Sequence, residues 1–197
     1  MNASERPSLR DALLSRAQSV VVDQGAEAVS LRQLARDLGV SHAAPARHFR
    51  TRADLLNALA VGGFDLLATA LQDAARSSEP RRPQERLHAL ADTYLAFATE
   101  RTRLLDLMYS RKIADDSDSS VSDAGRSSLL PLLAVLDDAV EQNQLPPGDS
   151  VARAQVALAA VHGVSALAGP QGMDGTSPAA VLDATLEVLW KGMGGTV

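Results

Sequence analysis

The stretch Gly25–Leu56, GAEAVSLRQLARDLGVSHAAPARHFRTRADLL, decides the fold. Ser30 precedes an apolar-periodic run, and Gln33 follows three residues later. In such an S-x-x-Q pattern the serine oxygen accepts the backbone N–H of the glutamine. The glutamine side chain can reach back in turn, a capping box that starts a short helix over 31–38. Gly39 suits the left-handed position past a helix C-terminus, and Val40 is an apolar plug between two helices. Ser41 is placed to cap a second short helix over 42–49. Pro45 falls in its first turn, where a missing N–H costs least. Thr51 then caps a long third helix, with Asp54 facing the positive end of its dipole. Leu34, Ala35, Leu38, Val40 and Phe49 are the expected core of this small unit.

Two short helices joined by a Gly-Val-Ser turn make a helix-turn-helix, a unit that lays its second helix in the DNA major groove. His42, Ala43 and Ala44 open that second helix, small enough at two of three positions for close approach to base edges. Arg47 and His48 lie near its end, and Arg32 and Arg52 flank it where they can hold phosphates. The segment GVSHAAPARHFRTRADLLNAL resembles the DNA-binding region of the TetR (tetracycline-repressor-like) family of bacterial transcriptional regulators. The matching residues are Gly39-Val40-Ser41, His48-Phe49, Arg52 and Leu55-Leu56; the family's usual tyrosine is Ala46 here. The resemblance implies DNA contacts at Arg32, Ser41, His42, Ala43, Ala44, Arg47, His48 and Arg52, with the contact at Ala46 lost. A second, looser resemblance is to a C-terminal domain found in part of that family. It rests on Val161-His162-Gly163 and Leu107-Met108-Tyr109, without the tryptophan that often precedes Val-His-Gly.

Outside this region the pattern stays helical. Leu87, Leu90, Ala91, Tyr94 and Ala98 fall on one helix face. Alanine occurs 34 times and aromatics are only 3%, which favours helix over sheet. No period-2 run with turn flanks occurs. The expectation is an all-α chain of about nine helices, near 8–24, 31–38, 42–49, 52–76, 83–100, 102–114, 125–143, 150–168 and 178–192. Turn-rich stretches separate them at 76–83, 115–128, 145–150 and 169–178; the Ser- and Asp-rich 115–128 is the best candidate for a mobile loop. By function the chain divides into a three-helix DNA-binding domain, 1–51, and a helical ligand-binding and dimerisation domain, 52–197.

Charge supports that division. The net charge is −5, but residues 1–55 carry eight Arg against six Asp or Glu, a balance of +2. The remainder carries eleven Lys or Arg against eighteen Asp or Glu, a balance of −7. Only the N-terminal end is suited to a polyanion. The absence of cysteine excludes disulfides, thiol catalysis and cysteine metal sites. No apolar stretch reaches the length of a membrane span and the N-terminus lacks a signal-peptide core, so a cytoplasmic location is expected. The four histidines, His42, His48, His88 and His162, do not form a zinc pattern, and Asp115, Asp116, Asp118 and Asp123 lack the Gly and Glu of a calcium loop. Catalytic, metal and cofactor sites are not expected; a helical small-molecule-binding or adaptor protein without DNA binding, or else an enzyme, is the alternative class.

The resemblance implies a homodimer on a palindromic operator, acting as a repressor that a small apolar or amphipathic effector releases. Pocket candidates are Leu90, Tyr94, Phe97, Met108, Tyr109, Leu133 and His162. Dimer candidates are Ala154, Ala157 and Val161 in the helix over 150–168, and Val181, Ala184 and Val188 in the last helix.

Overall fold

The structure is a computed structural model describing residues 8–78, 81–110, 119–168 and 175–195. Among these residues it is all-helical, without strands. The helices are α1 (Leu9–Gln24), α2 (Leu31–Asp37), α3 (Arg52–Ser77), α4 (Pro83–Glu100), α5 (Thr102–Met108), α6 (Ser120–Ser128), α7 (Leu130–Glu141), α8 (Ser150–Leu167) and α9 (Pro178–Gly192), with 3-10 turns at Ala26–Ala28 and Pro45–Arg47. Two compact units result. One lies within residues 1–64 and 101–124, the other within 65–100 and 125–197. These units are discontinuous in sequence, so they do not follow the functional division at residue 51, and α5 belongs with the N-terminal helices.

In the first unit, α1 is capped by Ser8, whose oxygen accepts from Asp11 N–H at 3.2 Å, and stops at Gly25, where φ is +87°. Gly39 takes φ +67°, as its position past α2 requires. Its N–H donates to Arg36 O and that of Val40 to Ala35 O, a Schellman ending. Ser30 accepts from Gln33 N–H at 3.5 Å, but the Gln33 side chain does not return to Ser30; it donates to Asp37 Oδ1 at 2.6 Å. Half of the expected capping box is therefore spent on the other end of its own helix. A full reciprocal box forms one element later: Thr51 N–H donates to Asp54 Oδ2 at 2.9 Å and Asp54 N–H to Thr51 Oγ1 at 3.1 Å. Leu13, Ala17, Val21, Leu34, Ala35, Phe49, Leu55 and Ala60 are buried, whereas Leu38 and Val40 are only half-buried. Gly63 lets α3 and α5 approach: a Cβ there would lie 2.7 Å from Met108 Sδ.

The second unit is built on α4, which packs against α7, α8 and α9, while α8 packs against α7 and α9. Its core is Leu87, Leu90, Tyr94, Val135, Leu136, Ala157, Leu182, Leu186 and Trp190. Asp149 caps α8 through Val151 N–H at 2.9 Å, and Ser177 caps α9 ahead of Pro178. A buried Arg86 pairs with Asp138 between α4 and α7. The helix expected over 125–143 is broken at Leu129, because Pro131 has no N–H to continue it. Residues 120–128, expected to be a loop, form α6, while 115–118 lie outside the described residues. The same holds for 169–174 in the last turn-rich stretch and for 111–114, beyond the end of α5. Contrary to the sequence expectation, α3 and α8 are long and apolar enough, by length and composition, to cross a membrane. Half of that window is buried in α3 but only 22% in α8, so α8 leaves an apolar face open.

Candidate nucleic-acid interface and effector cleft

The largest departure from the sequence reading falls on the recognition segment. Residues 42–49 are not an α-helix but a turn followed by the 3-10 turn Pro45–Arg47. Pro45 cannot donate to Ser41 O, and an α-helix here would drive its ring against that carbonyl. The segment takes i→i+3 bonds instead: Ala44 N–H to Ser41 O at 3.0 Å, Arg47 N–H to Ala44 O at 3.2 Å and His48 N–H to Pro45 O at 2.9 Å. Ser41 contributes its carbonyl, and Ala44 rather than Ser41 stands at the cap position, without a side-chain bond.

This compact turn is anchored from beneath by Pro45 and Phe49, both buried. The guanidinium of Arg10 lies 5.5 Å from the centre of the Phe49 ring. On the outside, Ser41, His42, Ala43, Ala46, Arg47, His48 and Arg50 are exposed and Ala44 is half-buried. Arg32, on α2, is exposed as well. Two acids near the turn are occupied: Asp37 holds Arg16 at 2.8 Å and Asp54 serves the α3 cap. The Gln33 and Arg16 hydrogen bonds hold the Asp37 carboxyl below its usual value; those from Thr51 do the same at Asp54.

Arg52 is placed differently from the other expected DNA contacts. Its Nε donates to Val29 O at 2.9 Å, and an Nη donates to Ala26 O at 2.6 Å and pairs with Glu27 at 3.3 Å. The side chain ties the start of α3 to the 3-10 turn at 26–28. Sequence reasoning missed that turn; the only signal for it is the Gly25 break.

In the second unit an apolar cleft of about 40 Å³ lies between α4, α7 and α8 and the end of α3. Of the expected pocket residues, Leu90 and Tyr94 line it. Phe97 is buried elsewhere on α4, and Leu132 and Leu129 stand where Leu133 was expected. Met108 and Tyr109 belong to the other compact unit, where Tyr109 packs edge-on to Phe64 at 5.4 Å between ring centres. His162 reaches the cleft through Tyr94: its Nδ1 is 2.8 Å from the Tyr94 hydroxyl oxygen. Leu71, Leu87, Ala91, Ala157, Leu158 and Val161 complete the lining, and none of them was singled out for this role by the sequence.

The dimer candidates also divide. Ala154, Ala157 and Val161 are buried within the unit, so that face of α8 is already used. Its opposite face, with Ala152, Val156, Ala159 and Leu167, is exposed, as are Ala184 and Val188 on α9, with Val181 half-buried. Among the described residues no group of acids and histidines is arranged to hold a metal.

Comparison with known proteins places this arrangement. Residues 13–59 match the family of bacterial regulatory proteins, tetR family, and residues 87–190 match the tetracyclin repressor-like C-terminal domain. The chain belongs to the TetR family of transcriptional regulators, a class of soluble DNA-binding proteins that are generally not enzymes. Among solved structures it is similar to a protein of unknown function from Rhodococcus sp. RHA1, at 39% identity and a TM-score of 0.87, covering 98% of this chain and 99% of that one. It shares the fold of AibR, solved with isovaleryl coenzyme A and operator DNA (18% identity, 92% and 97% covered, TM-score 0.68). It also shares the fold of FadR from Bacillus subtilis, solved with stearoyl-CoA (13% identity, 92% and 98% covered, TM-score 0.74). No curated protein matches.

Proposed function

We propose that this chain is a cytoplasmic, non-catalytic repressor that binds a palindromic operator as a homodimer through residues 1–51 and senses a small apolar or amphipathic molecule through residues 52–197. The observation that carries the DNA reading is the exposed turn at 41–48, with Arg47 and His48 outward and Pro45 and Phe49 pinned inward. Arg32, Arg47 and His48 neutralise phosphates, and His42, Ala43 and Ala44 face base edges. Arg52 supports the unit through its Nε and one Nη, which hold the carbonyls of Val29 and Ala26.

A second copy of the chain covers the open face of α8 and α9. The apolar residues Val156, Leu167 and Val188 lie there, and a two-fold operator calls for a two-fold protein. Effector sensing is supported by the apolar cleft and by the acyl thioesters bound in AibR and FadR. At about 40 Å³ the cleft is far below the ~300 Å³ of an ordinary ligand site. An effector must open it, and so binds the open state better, which is the condition for shifting a population. Three covalent links carry that shift to the DNA-binding unit: the length of α3, the Glu100–Arg101 junction between α4 and α5, and the Ala124–Gly125 step within α6. Arg103 on α5 donates to Val22 O of α1 at 2.8 Å, which fixes α5 to the reading unit.

The test is fluorescence anisotropy on duplex DNA from upstream of the chain's own gene. The expected Kd lies in the ~10⁻⁸–10⁻¹¹ M range, at least about a thousandfold tighter than for a scrambled duplex. Equal affinity for both duplexes overturns the proposal.

A further inference from the structure

The arginines of the reading unit fall into two groups. Arg16 holds Asp37, Arg36 bonds Gln33, Arg52 bonds the carbonyls of Ala26 and Val29, and Arg103 bonds that of Val22. Arg32, Arg47 and Arg50 are exposed and have no such partner among the described residues. Arg10, in the first turn of α1, is exposed and unpaired like the second group, yet it is held in place. Its guanidinium lies over the ring of Phe49, 5.5 Å from the centre. Phe49 is 3% exposed and stands in the chain between the exposed His48 and Arg50, and α1 packs against the Pro45–Arg47 turn. We propose that Arg10 is a further DNA contact, a phosphate clamp at the start of α1 that widens the footprint of the 41–48 turn. The inference deepens the DNA reading and rests on that turn being the DNA-binding surface.

The chemistry of the stack selects the partner. A cation over a ring face is attracted by the ring quadrupole, and its N–H donors are not consumed as hydrogen bonds. A planar guanidinium can therefore rest on Phe49 and still present a fork of donors, which matches the oxygens of a phosphate. Because the side chain is already held, less of its rotamer freedom is lost on binding. The neighbouring acid does not compete: the Asp11 carboxylate accepts from Ser8 Oγ at 2.7 Å and makes no ion pair with Arg10. A phosphate fits better than a base edge, because Arg10 lies on α1 and not on the turn that enters the groove. Phosphate contacts fix register and orientation, and they carry no sequence information of their own. The same stack ties α1 to the residue that pins the reading turn, so a phosphate held by Arg10 also fixes the turn's seat on the duplex.

The experiment is fluorescence anisotropy of the full chain on upstream and scrambled duplexes across a salt series, for the wild type, Arg10→Ala, Arg10→Lys and Arg16→Ala. Arg10→Ala should weaken both duplexes by the same factor, roughly tenfold, and lower the salt slope by about one per subunit. Its melting temperature should fall by no more than about 4 °C, the scale of one exposed cation–π contact. Arg10→Lys keeps the charge and should keep the slope. Arg16→Ala removes a charge on the same helix that is already paired with Asp37, and should leave the slope intact. An Arg10→Ala variant with unchanged slope overturns the inference, as does a slope that falls equally in Arg16→Ala or is lost in Arg10→Lys. So does a loss confined to the upstream duplex, which would make Arg10 a base reader. Arg47→Ala separates the two readings. A slope that falls with Arg47→Ala alone keeps the turn and removes the Arg10 contact, and one that falls with Arg10→Ala alone does the reverse. A wild type without salt-dependent duplex binding removes both.

Discussion

The reading turn and the cleft are held together by different means. Around residues 39–54 a run of directed polar bonds adds to the buried Pro45 and Phe49: the Schellman ending at Gly39, the 3-10 bonds either side of Pro45, the Thr51–Asp54 box and the Arg52 bridge to 26–29. Around the cleft, packing is aliphatic, with Arg86–Asp138 and Tyr94–His162 as polar exceptions. Directed bonds fix angles and lose most of their worth when bent, whereas apolar packing is non-directional and can be re-formed with a guest inside. A regulator needs both: a head that holds its shape against DNA and a sensor that can be opened.

The comparison breaks most severely if a charge is forced into the packing. Ala157→Arg places a guanidinium at a position 2% exposed among leucines. It should cost on the order of 3–5 kcal/mol and unfold the second unit, seen as loss of the cooperative melt. Val188→Glu, at a position 71% exposed, should leave a monomer's stability within about 0.5 kcal/mol yet dissociate the proposed dimer in sedimentation. If Val188→Glu stays dimeric, the interface lies elsewhere.

Next in size is Arg52→Ala. It strips donors from Ala26 O and Val29 O and should cost about 1–3 kcal/mol in chemical denaturation. No change in stability would return Arg52 to a free surface role.

Ala46→Tyr sharpens the other side. Ala46 is exposed beside Arg47, and the family's tyrosine there should strengthen operator binding severalfold if the nearby phosphate lies where it does in relatives. No gain, with an unchanged melt, would mean that the turn docks differently.

The smallest effect is acid sensitivity of the directed bonds. Asp37 and Asp54 titrate below the ordinary 3.8 in the folded chain, so the stability they add is complete above that value and lost as pH falls through the lowered one. Melting should be insensitive to these groups from neutral pH to about 5 and weaken below about 4. Asp54→Asn should flatten that acid limb, and an unchanged limb would remove Asp54 from the account.

The reading head was largely legible because its constraints are local. Ser30, Gly39, Thr51 and Asp54 act within a few residues of themselves, and the structure places each where its chemistry requires. The errors arose where one local rule outweighed another. A first helical turn tolerates Pro45, but its missing N–H leaves only i→i+3 bonding. Pro131 breaks a helix that hydrophobic periodicity ran through. The cleft was less legible because an aliphatic helix does not declare which face is inward. Ala154, Ala157 and Val161 have the spacing of an interface, yet they face the subunit's own core. The sequence expectation puts Met108 in a pocket between the middle helices, and the packing of α5 with α1 puts it in the other unit. Arg52 bonds carbonyls 23 and 26 residues back in the chain, which no spacing rule reports.

The central claim, that the 41–48 turn grips DNA while Arg52 braces it through the carbonyls of Ala26 and Val29, is tested most directly by the salt dependence of operator binding. Log Kd is measured against log salt for the wild type, Arg47→Ala and Arg52→Ala. Arg47→Ala should lower the slope by about one per subunit, the signature of a lost phosphate contact, and Arg52→Ala should weaken binding with the slope intact. A slope that falls with Arg52→Ala and stays with Arg47→Ala would contradict the account.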